Sequence, residues 1–128
     1  MKCSRCSSSA VINLRAYRLA LCAPHFTEFF VSRVEKTIAR YRMFSHSDVV
    51  IVAVSGGKDS LALWHALARL GYTTHGLYID LGISHHGYSA ISREKALAFS
   101  RHHRLPLTVV SLADEAGFTI DDHRRLGA

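Results

Sequence analysis

The chain has 128 residues, 48% of them hydrophobic and 20% charged, which fits one globular domain, or a small domain with an appendage, and excludes a disordered chain. The formal charge of +6 and sequence pI of about 9.6 favour phosphate-rich partners without by themselves establishing RNA binding. No apolar run reaches the roughly 18 residues of a membrane span, and the basic start Met1-Lys2-Cys3-Ser4-Arg5-Cys6 is not followed by the apolar core of a signal peptide, so a cytoplasmic protein is expected.

In chain order, residues 1 to about 25 read as a small cysteine-bearing module, with Ser7-Ser8-Ser9 in a knuckle and Val11 to Leu21 as a short hairpin. Its hydrophobic content is too small to fold unaided. Cys3-x-x-Cys6 is followed by Cys22-x-x-His25, two ligand pairs each closed by a tight turn. Three thiolates and one imidazole complete a tetrahedral zinc set with no open position, so the expected metal is structural. The plainer alternative is three incidental thiols and a histidine that merely starts a helix.

From about Pro24 to Met43, Phe26, Phe29, Phe30, Val34, Ile38 and Tyr41 recur at helical spacing, and Arg33, Lys36, Arg40 and Arg42 give that helix a basic character. Such a face suits RNA phosphates, though an ordinary solvated face has the same composition. Ser45-His46-Ser47-Asp48 is a polar break, which divides the chain into residues 1–44, a metal module plus basic helix, and residues 45–128, an α/β unit.

Beyond the break, strand Val49–Val54 leads through Ser55-Gly56-Gly57-Lys58-Asp59-Ser60 into helix Asp59–Leu70, with Gly71 as its stop. A strand at Thr73–Ile79, a helix at about Ser89 to His103 and a strand at Leu107–Ser111 follow. Strands separated by helices predict a parallel α/β sheet whose ligands sit at the carboxyl ends of the strands. The first strand is expected at an unprotected edge. Trp64 and Phe99 lie on apolar helix faces and are expected in the core, whereas His85-His86, His102-His103 and Asp121-Asp122 are expected to be solvated.

The glycine turn is the strongest chemical signal. Gly56 and Gly57 can both take positive φ and bring backbone N–H groups near an anion, at a helix start whose dipole favours negative charge. Lys58 adds a full charge, Ser55 and Ser60 offer hydroxyls, and Asp59 can cap the helix or help hold magnesium. The spacing is not that of a Walker A loop, which removes the kinase-like and GTPase-like readings.

Val52-Ala53-Val54-Ser55-Gly56-Gly57-Lys58-Asp59-Ser60 resembles the signature of the PP-loop ATP pyrophosphatases, whose sheet is doubly wound. With the Cys3, Cys6, Cys22 and His25 set, the resemblance narrows to tRNA 2-thiouridine synthetases and the related 2-thiocytidine synthetases. It implies ATP and Mg2+ on Ala53 and Ser55 to Ser60, with Ile79 near the adenine, and Zn2+ on the cysteine set. Lys58 and Asp59 become candidates for transition-state and magnesium roles. The implied reaction adenylates the C2 oxygen of a tRNA uridine with release of pyrophosphate, before a sulfur donor displaces AMP.

The resemblance further implies tRNA and a ubiquitin-like sulfur-carrier protein as partners. Pairing with a second copy is left open. Longer members carry additional cysteines for an iron–sulfur cluster or sulfur transfer, whereas no cysteine follows Cys22 here. The chain is therefore expected to be an N-terminal part that lacks the sulfur-transfer cysteines. The alternatives are another PP-loop enzyme, of amidotransferase type or similar to tRNA lysidine synthetase, and a non-catalytic ATP- and tRNA-binding module.

Overall fold

A computed structural model describes residues 1–83 and 87–117. The chain forms two compact units, the first Met1–Met43 and the second beginning at Phe44.

In the first unit, β1 (Ile12–Leu14) and β2 (Leu19–Leu21) pair antiparallel, Ile12 opposite Leu21, through a tight 3-10 turn at Arg15–Tyr17. Helix α1 (Ala23–Tyr41) follows directly. Cys3, Leu21 and Cys22 are buried together, with Ile12, Leu14, Leu19, Phe26 and Phe29 packed around them. This is a small core. Tyr17 meets Phe29 edge-on at 5.3 Å between ring centroids, and Arg33 lies over the Tyr17 ring at 5.2 Å. The helix stops at Tyr41 because Arg42 turns left-handed (φ 49°) and Met43 N–H bonds to the Ile38 carbonyl, a C-terminal cap made without glycine.

The second unit is a parallel sheet of β3 (Val49–Ala53), β4 (Thr73–Asp80) and β5 (Leu107–Ser111) in the order β3-β4-β5. Helix α2 (Lys58–Arg69) joins β3 to β4, α3 (Tyr88–His103) joins β4 to β5, and the short α4 (Leu112–Ala116) follows β5. The parallel α/β arrangement is the expected one, and β3 lies at the sheet edge with Val49 and Ile51 exposed. Helix α4 was absent from the sequence reading.

Period-2 alternation places Thr74, Gly76 and Tyr78 on one face of β4, where all three are buried. Trp64 of α2 is fully buried there, and its indole N–H donates to Thr74 Oγ1 at 2.9 Å. Phe99 of α3 packs on the same indole, half-buried, with centroids 5.2 Å apart. Helix α2 ends in a Schellman pair, Gly71 N–H to Ala68 O and Tyr72 N–H to Leu67 O. Among the described residues no helix is long and apolar enough to cross a membrane.

Candidate functional site: a cysteine–histidine knuckle and a glycine loop

The first site is built by the hairpin and the start of α1. Cys3 and Cys6 flank a turn in which Arg5 N–H points at Cys3 Sγ (3.4 Å), while Cys22 is the residue before α1 and His25 stands in its first turn. Pro24 at the helix start suits a position where no intrahelical N–H bond is needed. The four ligand atoms lie within 4.8 Å of one another. Cys6 Sγ and Cys22 Sγ are 3.7 Å apart, and His25 Nδ1 is 3.5 Å from Cys3 Sγ and 3.2 Å from Cys22 Sγ. A zinc–sulfur bond of about 2.3 Å in a tetrahedron sets sulfur atoms roughly 3.8 Å apart, so the residues fit a single ion.

The electrostatics suit metal binding. Burial opposes the Cys3 thiolate, yet hydrogen bonds from the backbone at Cys22, Arg5 and Cys6 outweigh it and lower its pKa to about 6. Backbone bonding at Ser8 lowers Cys6. At Cys22 the His25 N–H favours the thiolate, but burial and the neighbouring sulfurs together push the thiol up. Hydrogen bonding to Cys3 and Cys6 raises His25. Three sulfurs gathered this closely repel one another as thiolates, and a divalent cation removes that conflict.

The second site lies at the carboxyl end of β3, where Val54 N–H still bonds to Leu77 O (2.8 Å) before the chain turns. Gly56 has φ +80° and is buried against α3: a Cβ there would overlap the Ser92 carbonyl oxygen. Of the two loop glycines, Gly56 alone takes positive φ. Gly57, which could also take that conformation, is extended (φ −80°, ψ 162°) and serves as the residue preceding α2. Asp59 therefore does not cap the helix; it stands exposed in the first turn, beside exposed Lys58.

The two serines brace the loop. Ser60 Oγ donates to Gly57 O (3.1 Å) and accepts from Ser55 N–H (3.1 Å), and Ser55 Oγ, 3.1 Å from Ser60 Oγ, accepts from Gly57 N–H (3.2 Å). The first N–H groups of α2, at Lys58, Asp59 and Ser60, have no carbonyl four residues back within the helix and face the loop opening with its partial positive charge. The arrangement can hold an oligophosphate. Ala53, two residues before Ser55, is exposed at the end of β3.

Beside the loop a cleft is lined by Ser55, Tyr78, Ile79, Leu81, Ser89 and Ser92. Ile79 is thus brought to the same opening as Ser55. Sequence reading missed Tyr78, Ser89 and Ser92. Tyr78 Oη lies 2.6 Å from Ser92 Oγ and donates to Ser89 O at 3.1 Å, and Ser89 is tied to Ile83 by N–H···O (3.0 Å) and N–H···Oγ (2.8 Å) bonds. These bonds fix the first turns of α3 against β4 and the segment that follows it. A polar spacing Ser-x-x-Ser after a strand carries too little signal to reveal them. His85-His86 and Asp121-Asp122 lie outside the described residues.

A closed Cys/Cys/Cys/His metal knuckle ahead of a parallel sheet with a strand–glycine loop–helix opening defines a PP-loop α/β protein with an N-terminal metal module. Comparison with known proteins shows which sequences and folds this chain is similar to. Residues 2–27 match the family profile "2-thiouridine synthetase TtuA, N-terminal LIM domain". The chain is 46% identical over 126 residues, 98% of its length, to a tRNA-5-methyluridine(54) 2-sulfurtransferase of Thermus thermophilus, covering 39% of that protein. It is 34% identical over 127 residues, 94% of its length, to the cytoplasmic tRNA 2-thiolation protein 1 of Chlamydomonas reinhardtii, covering 35% of it. Its fold is that of the U34-tRNA thiolase NcsA from Methanococcus maripaludis, solved with its [4Fe-4S] cluster: TM-score 0.78, 23% identity, 95% of this chain and 42% of that one. Over nearly its whole length the chain is similar to the N-terminal part of tRNA 2-thiolation enzymes, and it spans about two fifths of the length of these relatives.

Proposed function

We propose that this chain carries the ATP-activating loop and a structural zinc module of a tRNA 2-thiouridine synthetase. The observation that carries this reading is a single continuous match, 46% identical over 126 residues, running through both the knuckle and the glycine loop. Bound ATP places its terminal phosphates against the N–H groups of residues 56 to 60, with Lys58 balancing their charge and Asp59 available to hold Mg2+. Ile79, at the end of β4, and Leu81 just beyond it line the same cleft as Ser55, which supports an adenine position there. The C2 oxygen of the uridine attacks the α-phosphorus, the bond to the β-phosphate oxygen breaks, and pyrophosphate leaves. A sulfur donor then attacks C2 and AMP departs with the oxygen. Sulfur delivery by a thiocarboxylated ubiquitin-like carrier protein, the action of a chain paired with a second copy, and a cytoplasmic setting belong to the same reading.

Among tRNA positions, 5-methyluridine 54 is favoured, because the three relatives named for it match at 46%, 48% and 39% identity and those named only for cytoplasmic 2-thiolation at 31–40%. Zn2+ on Cys3, Cys6, Cys22 and His25 supplies the stability that the small core cannot.

The test is pyrophosphate release from ATP–Mg2+. Release that requires a tRNA bearing uridine at position 54 is the expected result. Release driven by an unrelated carboxylic acid would point to another PP-loop synthetase, and binding of ATP and tRNA with no release would point to a binding module. Nucleotide binding unchanged by Lys58→Ala would remove the loop from the assignment.

A further inference from the structure

Outside both sites, His102 and His103 are exposed as expected, and His103 meets a histidine from another helix. His65 on α2 and His103 on α3 bring their rings to 5.2 Å between centroids at an interplanar angle of 60°. The two residues are 38 positions apart in sequence, so only the packing of the two helices unites them. Phe99, one turn before His103, packs on its ring at 4.3 Å and holds it in place. His102 adjoins His103 with centroids 4.7 Å apart, but on the same helix.

The separation has a chemical meaning. A zinc–nitrogen bond is about 2.0–2.1 Å and an imidazole centroid lies about 1.1 Å beyond its nitrogen, so two imidazoles on one tetrahedral ion have centroids roughly 5.2 Å apart, against roughly 4.5 Å for a right-angled pair. We infer that His65 and His103 form a second, cross-helix site for a divalent transition metal of the zinc class, with water in the remaining positions, that clamps α2 to α3. Both helices pack on the sheet face behind the glycine loop, the loop running into α2 and resting on α3 through Gly56 and Ser92. Metal at this pair therefore stiffens the frame of the nucleotide site from behind. Its ligands are neutral imidazoles, the form in which histidine binds a metal.

The full chain, with one equivalent of Zn2+ already on its cysteine set, is titrated with further Zn2+ by calorimetry near pH 7.5, with melting temperature followed in parallel. A second, weaker equivalent that raises the melting temperature is expected, weakened tenfold or more in both His65→Asn and His103→Asn and retained in His102→Asn. No second equivalent, or one unaffected by either pair variant, overturns the site. Loss in His102→Asn and His103→Asn with His65→Asn unaffected would place the metal on α3 alone and overturn the clamp. Should a variant fail to fold, the unmodified chain still decides: the imidazole proton resonances of His65 and His103 shift together with Zn2+ if the pair binds it, and failure of either to move refutes the pairing.

Discussion

Gly56 rests against the backbone of Ser92, so that a Cβ at Gly56 would come within 2.9 Å of Ser92 Cα and closer still to its carbonyl oxygen. The contact ties the loop at the end of β3 to the first turns of α3, two segments 36 residues apart, and it does so through backbone on both sides. Neither partner can yield by rotating a side chain. Gly56→Ala faces this overlap and a φ of +80° together, and the left-handed conformation alone costs about 1–2 kcal/mol. Expected are a lower melting temperature and loss of measurable ATP–Mg2+ binding; a variant that melts and binds as before would mean the loop does not depend on this packing.

Tyr78 and Ser92 hold the other side of that contact. Tyr78→Phe removes one buried hydroxyl and, among the described residues, leaves Ser92 Oγ with the weaker bond to Ser89 O at 3.3 Å. A loss of about 1–2 kcal/mol in unfolding free energy is expected, measured by chemical denaturation. Nucleotide affinity should weaken too, because the cleft wall loses its anchor, and an unchanged affinity would confine the bond to a structural role.

Gly76 lies under the Trp64 indole, where an added Cβ would sit 2.6 Å from one ring carbon and 2.8 Å from another. Gly76→Ala must displace a fully buried side chain and break its 2.9 Å bond to Thr74, at an expected cost of about 1–3 kcal/mol. The chain has one tryptophan, so fluorescence reads this packing directly. A redshifted emission maximum is expected, together with a lower denaturation midpoint.

Metal removal should act on the first unit selectively. Elemental analysis is expected to find zinc on the cysteine set. A strong chelator or Cys22→Ser should then abolish the chemical-shift dispersion of Leu14, Leu21 and Phe26, because the core there is too small to persist alone. Resonances of β4 in the second unit should persist. Chelation that leaves the first unit folded would show that its core suffices.

The pH dependence has a defined sign. In the unfolded chain His103 titrates near 6.5; in the folded chain burial, then His102 and His65, lower it. The folded state thus binds fewer protons in this window, and the associated stability is present above about 6.5 and lost as pH falls through the lower folded value. Melting temperature should drop between pH 7.5 and 5.5, measured with metal-free buffers. His103→Asn should flatten this dependence; an identical slope in the variant would place the sensitivity elsewhere.

Much of this protein is local in origin and could be read from the chain. The periodicity of Phe26, Phe29, Val34 and Ile38 specifies a helix wherever it packs, and the Schellman stop at Gly71 follows from residues already adjacent in sequence. The paired spacings Cys3-x-x-Cys6 and Cys22-x-x-His25 impose tight turns that leave few arrangements besides a common centre. Ser55 to Ser60 likewise encode a turn between strand and helix through their own hydrogen bonds.

Relations between distant segments were decided only by tertiary packing. Nothing near Gly56 or Gly57 says which of them must be left-handed; the choice follows from the approach of Ser92, which leaves Gly57 extended at the start of α2. Tyr78 and Ser89 have no signature because their partners come from different elements of the fold. His65 and His103 look like ordinary surface histidines until α2 and α3 lie side by side. Sequence spacing determines chemistry held within a turn, because there the backbone fixes the distance. Chemistry shared between elements depends on which faces bury each other, here Trp64 on Gly76 of the sheet and Phe99 on Trp64.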